Sequence, residues 1–212
     1  MIRAVISDFG GVLTTPLLDS FMAYQRESGI AFEDLGAALT GAAAAHGGEH
    51  PLFALEKGEI TEAEFTRRLE EQLGRKMGSF RETYFAHLHP NERMIEYMRD
   101  LKARGLRMAL LTNNVREWEP HWREKLPDID EIFELVVDSA FVGMRKPERR
   151  IYELTLERLD GIPAGECLFL DDIEANCEAA AEAGMQAVRF HDNDQAIAEM
   201  DAILEREGVR AG

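Results

Sequence analysis

Ser7-Asp8-Phe9-Gly10-Gly11-Val12-Leu13-Thr14 follows a short apolar run, Ile2 to Ile6, that is rich in β-branched residues. Such a run suits a buried strand of a parallel sheet. An aspartate at its carboxyl end, followed by two glycines, lies where open α/β sheets bind ligands, just beyond the strand ends. Glycine lets the backbone approach an anion closely and turn its N–H groups toward it. Three later segments repeat the arrangement. Leu106 to Leu111 runs into Thr112-Asn113-Asn114, Leu168 to Leu170 runs into Asp171-Asp172, and Arg145-Lys146-Pro147 precedes an amphipathic helical pattern. Laid side by side in one parallel sheet, these ends bring a carboxylate, a hydroxyl with an amide, an ammonium and a carboxylate pair to a single edge.

The rest of the chain divides in two. Between Leu17 and about Leu88 the patterns are helical: Leu17 to Glu27, Phe32 to Leu39, Thr61 to Leu73 and Phe80 to His87. Ala42 to Ala45 reads as a helix end. Thr61-Glu62-Ala63-Glu64 carries a capping-box signature, and Phe65 and Leu69 continue an i, i+4 apolar face. From Asn91 onward helix and strand alternate, with helices at 91–104, 117–125, 147–159, 174–183 and 194–205 and further strands at 135–137 and 186–190. Pro147 and Gly184 are expected at a helix start and a helix end. Alternation of this kind predicts an α/β fold with a doubly wound, Rossmann-like parallel sheet.

At 212 residues the chain can hold one core domain and a substantial insertion. A formal charge of −16 argues against nucleic acid and anionic membranes as partners, because both require clustered Lys or Arg. An anionic substrate would need local cations: Lys146, a metal ion, or Arg116. No apolar stretch approaches the roughly 20 residues that span a bilayer. The amino terminus runs straight into a strand without a signal peptide, so the cytoplasm is the expected location. Cys167 and Cys177 fit no zinc spacing and read as buried free thiols. Nothing in the pattern fixes an oligomeric state.

Asp8-Phe9-Gly10-Gly11-Val12, Leu111-Thr112-Asn113, Lys146-Pro147 and Leu170-Asp171-Asp172 with Asn176 resemble the four ordered motifs of the haloacid dehalogenase superfamily. The match runs from Ile2 to about Phe190. Gly47-Gly48-Glu49-His50-Pro51, Leu55-Glu56-Lys57-Gly58-Glu59-Ile60-Thr61 and Thr112-Asn113-Asn114-Val115-Arg116-Glu117-Trp118 are similar to the epoxide-hydrolase amino-terminal-domain-like phosphatases and to the related domain fused to some acyl-CoA dehydrogenases. The resemblance implies an α/β core at residues 1–15 and 89–212 and an inserted helical cap domain at 16–88.

It also implies a chemistry. Asp8 would be the nucleophile toward a small phosphorylated metabolite, forming an aspartyl phosphate that water then hydrolyses. Gly11, Thr112, Asn113 and Lys146 would contact the phosphate. Three converging carboxylates repel unless one is protonated or a divalent cation joins them, and magnesium, a hard ion with oxygen ligands, fits that need. Its ligands would be Asp8, the Gly10 carbonyl and Asp172, with Asp171 direct or through water, and Asn176 would orient Asp172. Asp171-Asp172 also reads as a helix N-cap cluster.

The chain departs from the phosphatase motif at Gly10, where a second aspartate usually protonates the leaving group and activates water. General acid–base help of that kind is worth about 10²- to 10⁴-fold. His46, Glu49 and His50 are replacements only if the cap brings them over the site. Two other functions stay open: a phosphate- or nucleotide-binding module without turnover, and a metal-free 2-haloacid dehalogenase, against which the Asp171-Asp172 pair speaks. Phe21, Tyr24, Phe53 and Phe65 read as cap core rather than pocket, Gly47-Gly48 as a turn that dips toward Asp8, and Trp118 and Trp122 as the border of an entrance.

Overall fold

The amino-terminal apolar run forms β1 (Ala4–Ser7), fully buried in a computed structural model that describes residues 1–208. Six helices precede the second strand, the first five being α1 (Leu17–Ser28), α2 (Phe32–Ala45), α3 (Pro51–Glu56), α4 (Glu62–Leu73) and α5 (Phe80–Ala86). Next come α6 (Glu92–Ala103), β2 (Arg107–Thr112), a 3₁₀ turn at Arg116–Trp118 leading into α7 (Glu119–Lys125), α8 (Ile129–Ile132), β3 (Leu135–Asp138) and α9 (Ser139–Val142). The chain continues through α10 (Arg149–Arg158), β4 (Cys167–Asp171), α11 (Glu174–Glu182), β5 (Gln186–Arg189) and α12 (Asn193–Glu207). The expected core segment extends to residue 212, and its last four positions lie outside the described residues.

All five strands pair in parallel, in the order β3-β2-β1-β4-β5. Ser7 lies level with Leu110 on one side and Leu170 on the other. The chain first builds outward through β2 and β3, then returns to the far side of β1 for β4. The order therefore reverses beside β1, and that reversal opens a crevice at the carboxyl ends of the central strands.

Side chains alternate across the sheet, as the two-residue period of a strand requires. Val5, Leu110, Leu168 and Leu170 pack with residues of α6, α7 and α12 on one face. Ile6, Ala109, Leu111 and Phe169 pack with Ile151, Tyr152 and Ala180 of α10 and α11 on the other. Helices α1 to α5 form the inserted cap and keep a small buried cluster of their own, including Tyr24, Ile30, Ala38 and Leu69. Tyr24 Oη donates to the Met77 carbonyl at 2.6 Å, tying α1 to the segment after α4.

Several boundaries differ from the sequence pattern. Helix α2 runs on to Ala45 because Ala38 and Ala42 are buried in the cap cluster, and that packing carries the helix through its glycines. The short helix α3 was not expected. At α4 the Thr61 side chain accepts from the Glu64 N–H at 3.2 Å, while the Glu64 carboxylate turns to Arg67 and Arg68, so only half of the capping box forms. Pro147 does not open α10; it follows a cis peptide bond in the loop, and the helix begins at Arg149.

Candidate active site

Asp8 leaves β1 with its N–H donating to the Leu170 carbonyl at 2.8 Å, so the ladder between β1 and β4 fixes the backbone from which its carboxylate projects. The chain then turns at Gly11, which has a φ of 80°. A Cβ on Gly11 would stand 2.5 Å from Asp172 Oδ2, so only glycine lets this turn lie against the end of β4. At Gly10 a Cβ would stand 3.2 and 3.3 Å from the two methyls of Leu17.

Lys146 reaches into this corner from the loop between α9 and α10. Its Nζ lies 2.7 Å from Asp8 Oδ1 and 2.6 Å from Asp171 Oδ2, and the residue is 1% exposed. Asn113 clamps the same loop: its Nδ2 donates to the Lys146 carbonyl at 3.0 Å, and the Lys146 N–H donates to its Oδ1 at 2.8 Å. Asp171 is held by two further donors, Asn176 Nδ2 at 3.0 and 3.1 Å from its two oxygens and the Ile173 N–H at 2.9 Å.

Oxygens of Asp8, Asp171 and Asp172 all lie within 4.8 Å of one another. Burial first, and then the Asp171 and Asp172 charges, push the Asp8 carboxyl up to about 7 against the pull of Lys146. Burial and Asp171 likewise raise Asp172. Burial works against the Lys146 ammonium, but Asp171 and Asp8 outweigh it and hold the group above the usual lysine value. Three carboxylates share one ammonium, and the excess negative charge, presented entirely by hard oxygen donors, suits a divalent magnesium ion.

The remaining expected residues sort differently. Asn176 grips Asp171, not Asp172. The Gly11 N–H donates to Thr14 Oγ1 at 3.0 Å. The Asn113 side chain is spent on Lys146, which leaves its backbone to face a ligand. Thr112 ends β2 beside the site and is buried. Arg116 donates to the Ala140 carbonyl and lies over Phe141, away from the carboxylates. None of the three cap substitutes reaches Asp8: His46 bonds the Ala42 carbonyl, Glu49 pairs with Lys57, and His50 lies against Phe53. Gly47 and Gly48 take no part in the site. The two cysteines are free and buried, and burial pushes both thiols up to about 12.

Above the carboxylates, core and cap enclose a cavity of about 970 Å³ that includes Asp8, Lys146 and Asp172 in its lining. Phe21 lines it, contrary to the expectation of cap core; Phe65 both lines it and packs against the cap cluster, and Tyr24 is core. Trp118 and Trp122 form buried wall rather than a rim, with Trp122 5.3 Å from Phe9. Two charged residues that the pattern did not single out as site groups also line it: Glu56, at the end of α3, accepts from Arg145 Nε at 2.6 Å. Burial raises the Glu56 carboxyl despite that partner. The Arg145 guanidinium in turn stacks 4.0 Å from the Phe53 ring centre. Both residues stand in stretches already notable in the sequence, Leu55-Glu56-Lys57-Gly58-Glu59 and Arg145-Lys146-Pro147, but only the packing of α3 on the core brings them together.

A family model for haloacid dehalogenase-like hydrolases matches residues 2–184. Acyl-CoA dehydrogenase family member 10 of Mus musculus is 30% identical over 95% of this chain, which spans only 19% of that protein's length. The sesquiterpene phosphatase AstK of Aspergillus oryzae is 28% identical over 90% of this chain and 91% of its own. A haloacid dehalogenase family enzyme of Bacteroides thetaiotaomicron, solved with magnesium and inorganic phosphate, superposes with a TM-score of 0.69 at 22% identity, covering 89% of this chain and 94% of that one.

Proposed function

We propose, from the premise that the chain belongs to the haloacid dehalogenase-like hydrolases, that it is a magnesium-dependent phosphatase of a small phosphorylated molecule, working through an aspartyl phosphate on Asp8. The observation that carries this reading is the Lys146 ammonium lodged between Asp8 and Asp171, 2.7 and 2.6 Å away, at the reversal of strand order. Asp8, Asp172 and the Gly10 carbonyl would hold the magnesium ion. Asp171, whose oxygens already accept from Lys146, Asn176 and Ile173, would position the lysine. When bound, the ion neutralises carboxylate charge and draws charge from the phosphoryl oxygens.

Asp8 acts in its ionised form, which Lys146 favours against the burial and neighbouring carboxylates that raise it, and one of its oxygens attacks phosphorus in line with the departing oxygen. The bond from phosphorus to the leaving group breaks as the aspartyl phosphate forms. Lys146, Thr112 and the backbone at Asn113 stabilise the phosphoryl oxygens, while the Gly11 N–H is held by Thr14. Water then attacks phosphorus, releasing phosphate and restoring Asp8. With Gly10 in place of an acid, the leaving group departs without a proton from that turn, which favours acyl, enol and aryl phosphates.

A phosphate-binding module without turnover is the second reading. It is favoured by Leu17, which occupies the side of the turn where a second carboxylate would project. Phosphate release from acetyl phosphate and p-nitrophenyl phosphate, with and without magnesium and beside Asp8→Asn, separates the two. Magnesium-dependent turnover lost in the variant supports the phosphatase. A stoichiometric burst without turnover supports the binding module.

A further inference from the structure

We propose that the organic part of the substrate is an extended apolar group, so that the site takes a hydrophobic aryl, enol or acyl monophosphate in preference to a sugar or polyol phosphate. This rests on the phosphatase reading and adds to it a substrate class. The cavity, at about 970 Å³, lies at the top of the range of roughly 300–1,000 Å³ that houses drug-sized ligands. A phosphate group alone needs a small fraction of it.

The walls decide what fills the rest. Beyond the carboxylates the lining includes Leu17, Phe21, Leu55, Phe65, Phe80 and Trp118. The aromatic members are stacked into a continuous surface: Phe21 lies 5.5 Å from Phe80, and Phe80 lies 5.9 Å from Trp118. Hydroxyl-rich substrates need polar groups free to meet them, because a buried hydroxyl without a partner is costly. The charged cap residues along the cavity are already engaged with one another: Arg81 pairs with Glu62 at 2.8 Å, and Lys76 with Glu70 at 2.6 Å. Phe32, in the same lining, is 36% exposed, so the apolar surface continues outward to solvent. The charged groups along the cap are therefore paired off, and apolar side chains make up most of the surface beyond the carboxylates. That surface matches an amphiphilic substrate and not a uniformly polar one.

The test is a homologous series of 4-alkylphenyl phosphates, from methyl through decyl, beside glycerol and glucose phosphates, with p-nitrophenyl phosphate as the turnover control. Each methylene buried is worth about 0.8 kcal/mol, so kcat/KM should rise by up to roughly fourfold per carbon until the cavity is filled. Leu35→Trp, which narrows the cap side, should move the plateau to shorter chains. A flat series, or preference for glucose phosphate, with p-nitrophenyl phosphate still turned over, overturns the substrate class and leaves the phosphatase standing. Binding of non-hydrolysable alkylphosphonates, read by Trp118 and Trp122 fluorescence, covers the case in which nothing is hydrolysed. Affinity rising with chain length then supports the apolar site while the phosphatase reading falls, and chain-length-independent affinity overturns the inference.

Discussion

At the sheet end of the cavity, Asp8, Asp171, Asp172 and Lys146 are brought together from three separate stretches of chain, each projecting from a strand end or a clamped loop. At the cap end, Phe21, Phe65 and Phe80 come from three helices whose mutual packing decides where each ring points. The first end is set by the backbone ladder of β1, β2 and β4, which leaves little freedom in register. The second is set by helix-on-helix contact, which tolerates many arrangements of similar side chains. On the proposed reading, chemistry is anchored to the stiff part of the molecule, and choice of substrate to the adaptable part.

The largest expected effect lies at the stiff end. Asp8→Asn removes the proposed nucleophile and should lower kcat for acetyl phosphate by roughly 10⁴-fold or more. If turnover survives, the sheet end is not the seat of the chemistry and the contrast collapses. Lys146→Met should lower kcat by roughly 10²- to 10³-fold. It also leaves Asp8 and Asp171 buried without their shared cation, a loss of about 3–5 kcal/mol that urea denaturation reads without magnesium. Because the added ion replaces part of the missing charge, magnesium should recover more stability in this variant than in the wild type.

Asp138 sharpens the contrast within the edge itself. It ends β3 level with Thr112, caps the Ala140 N–H at 3.0 Å, and has its second oxygen buried near Trp122 without a well-formed hydrogen bond. Burial pushes it up to about 6. The folded chain therefore binds a proton more tightly than the unfolded chain, and stability falls as pH rises from near 4 through 6. Above that pH Asp138→Asn should be the more stable protein by about 1–3 kcal/mol, with the gap closing at pH 4. Urea midpoints at both pH values check it, and equal gaps would show that this carboxylate is not strained by its charge. The smallest effect belongs to the cap. Tyr24→Phe removes one hydrogen bond to Met77 and should cost about 1 kcal/mol. Acetyl phosphate hydrolysis should stay near the wild-type rate if the two ends are separable.

The sequence made the stiff end readable because strand, turn and functional side chain are contiguous there: Ile6, Asp8 and Gly11 lie within six positions, and Leu170 abuts Asp171. The role of Asn176 was misassigned because helix periodicity places it near both aspartates, and only its actual hydrogen bonds single out Asp171. Gly11 appeared free to bind an anion because the Thr14 hydroxyl three residues on was not weighed. Glu56 and Arg145 meet across 89 positions, and no local pattern announces so distant a pair. Phe21 and Tyr24 stand one helical turn apart on α1, yet one lines the cavity and the other is core, a distinction that rests on where α5 packs.

The contact between position 10 and Leu17 has an evolutionary consequence. An aspartate at position 10 would put its first carbon 3.2 Å from a leucine methyl, so the leucine must give by a few tenths of an ångström to admit it. Trimming Leu17 opens that space but removes apolar wall. The two positions are therefore coupled: what fits at one depends on how far the other moves. A combined Gly10→Asp, Leu17→Ala chain relieves the contact at once, whereas Gly10→Asp alone asks the leucine to shift.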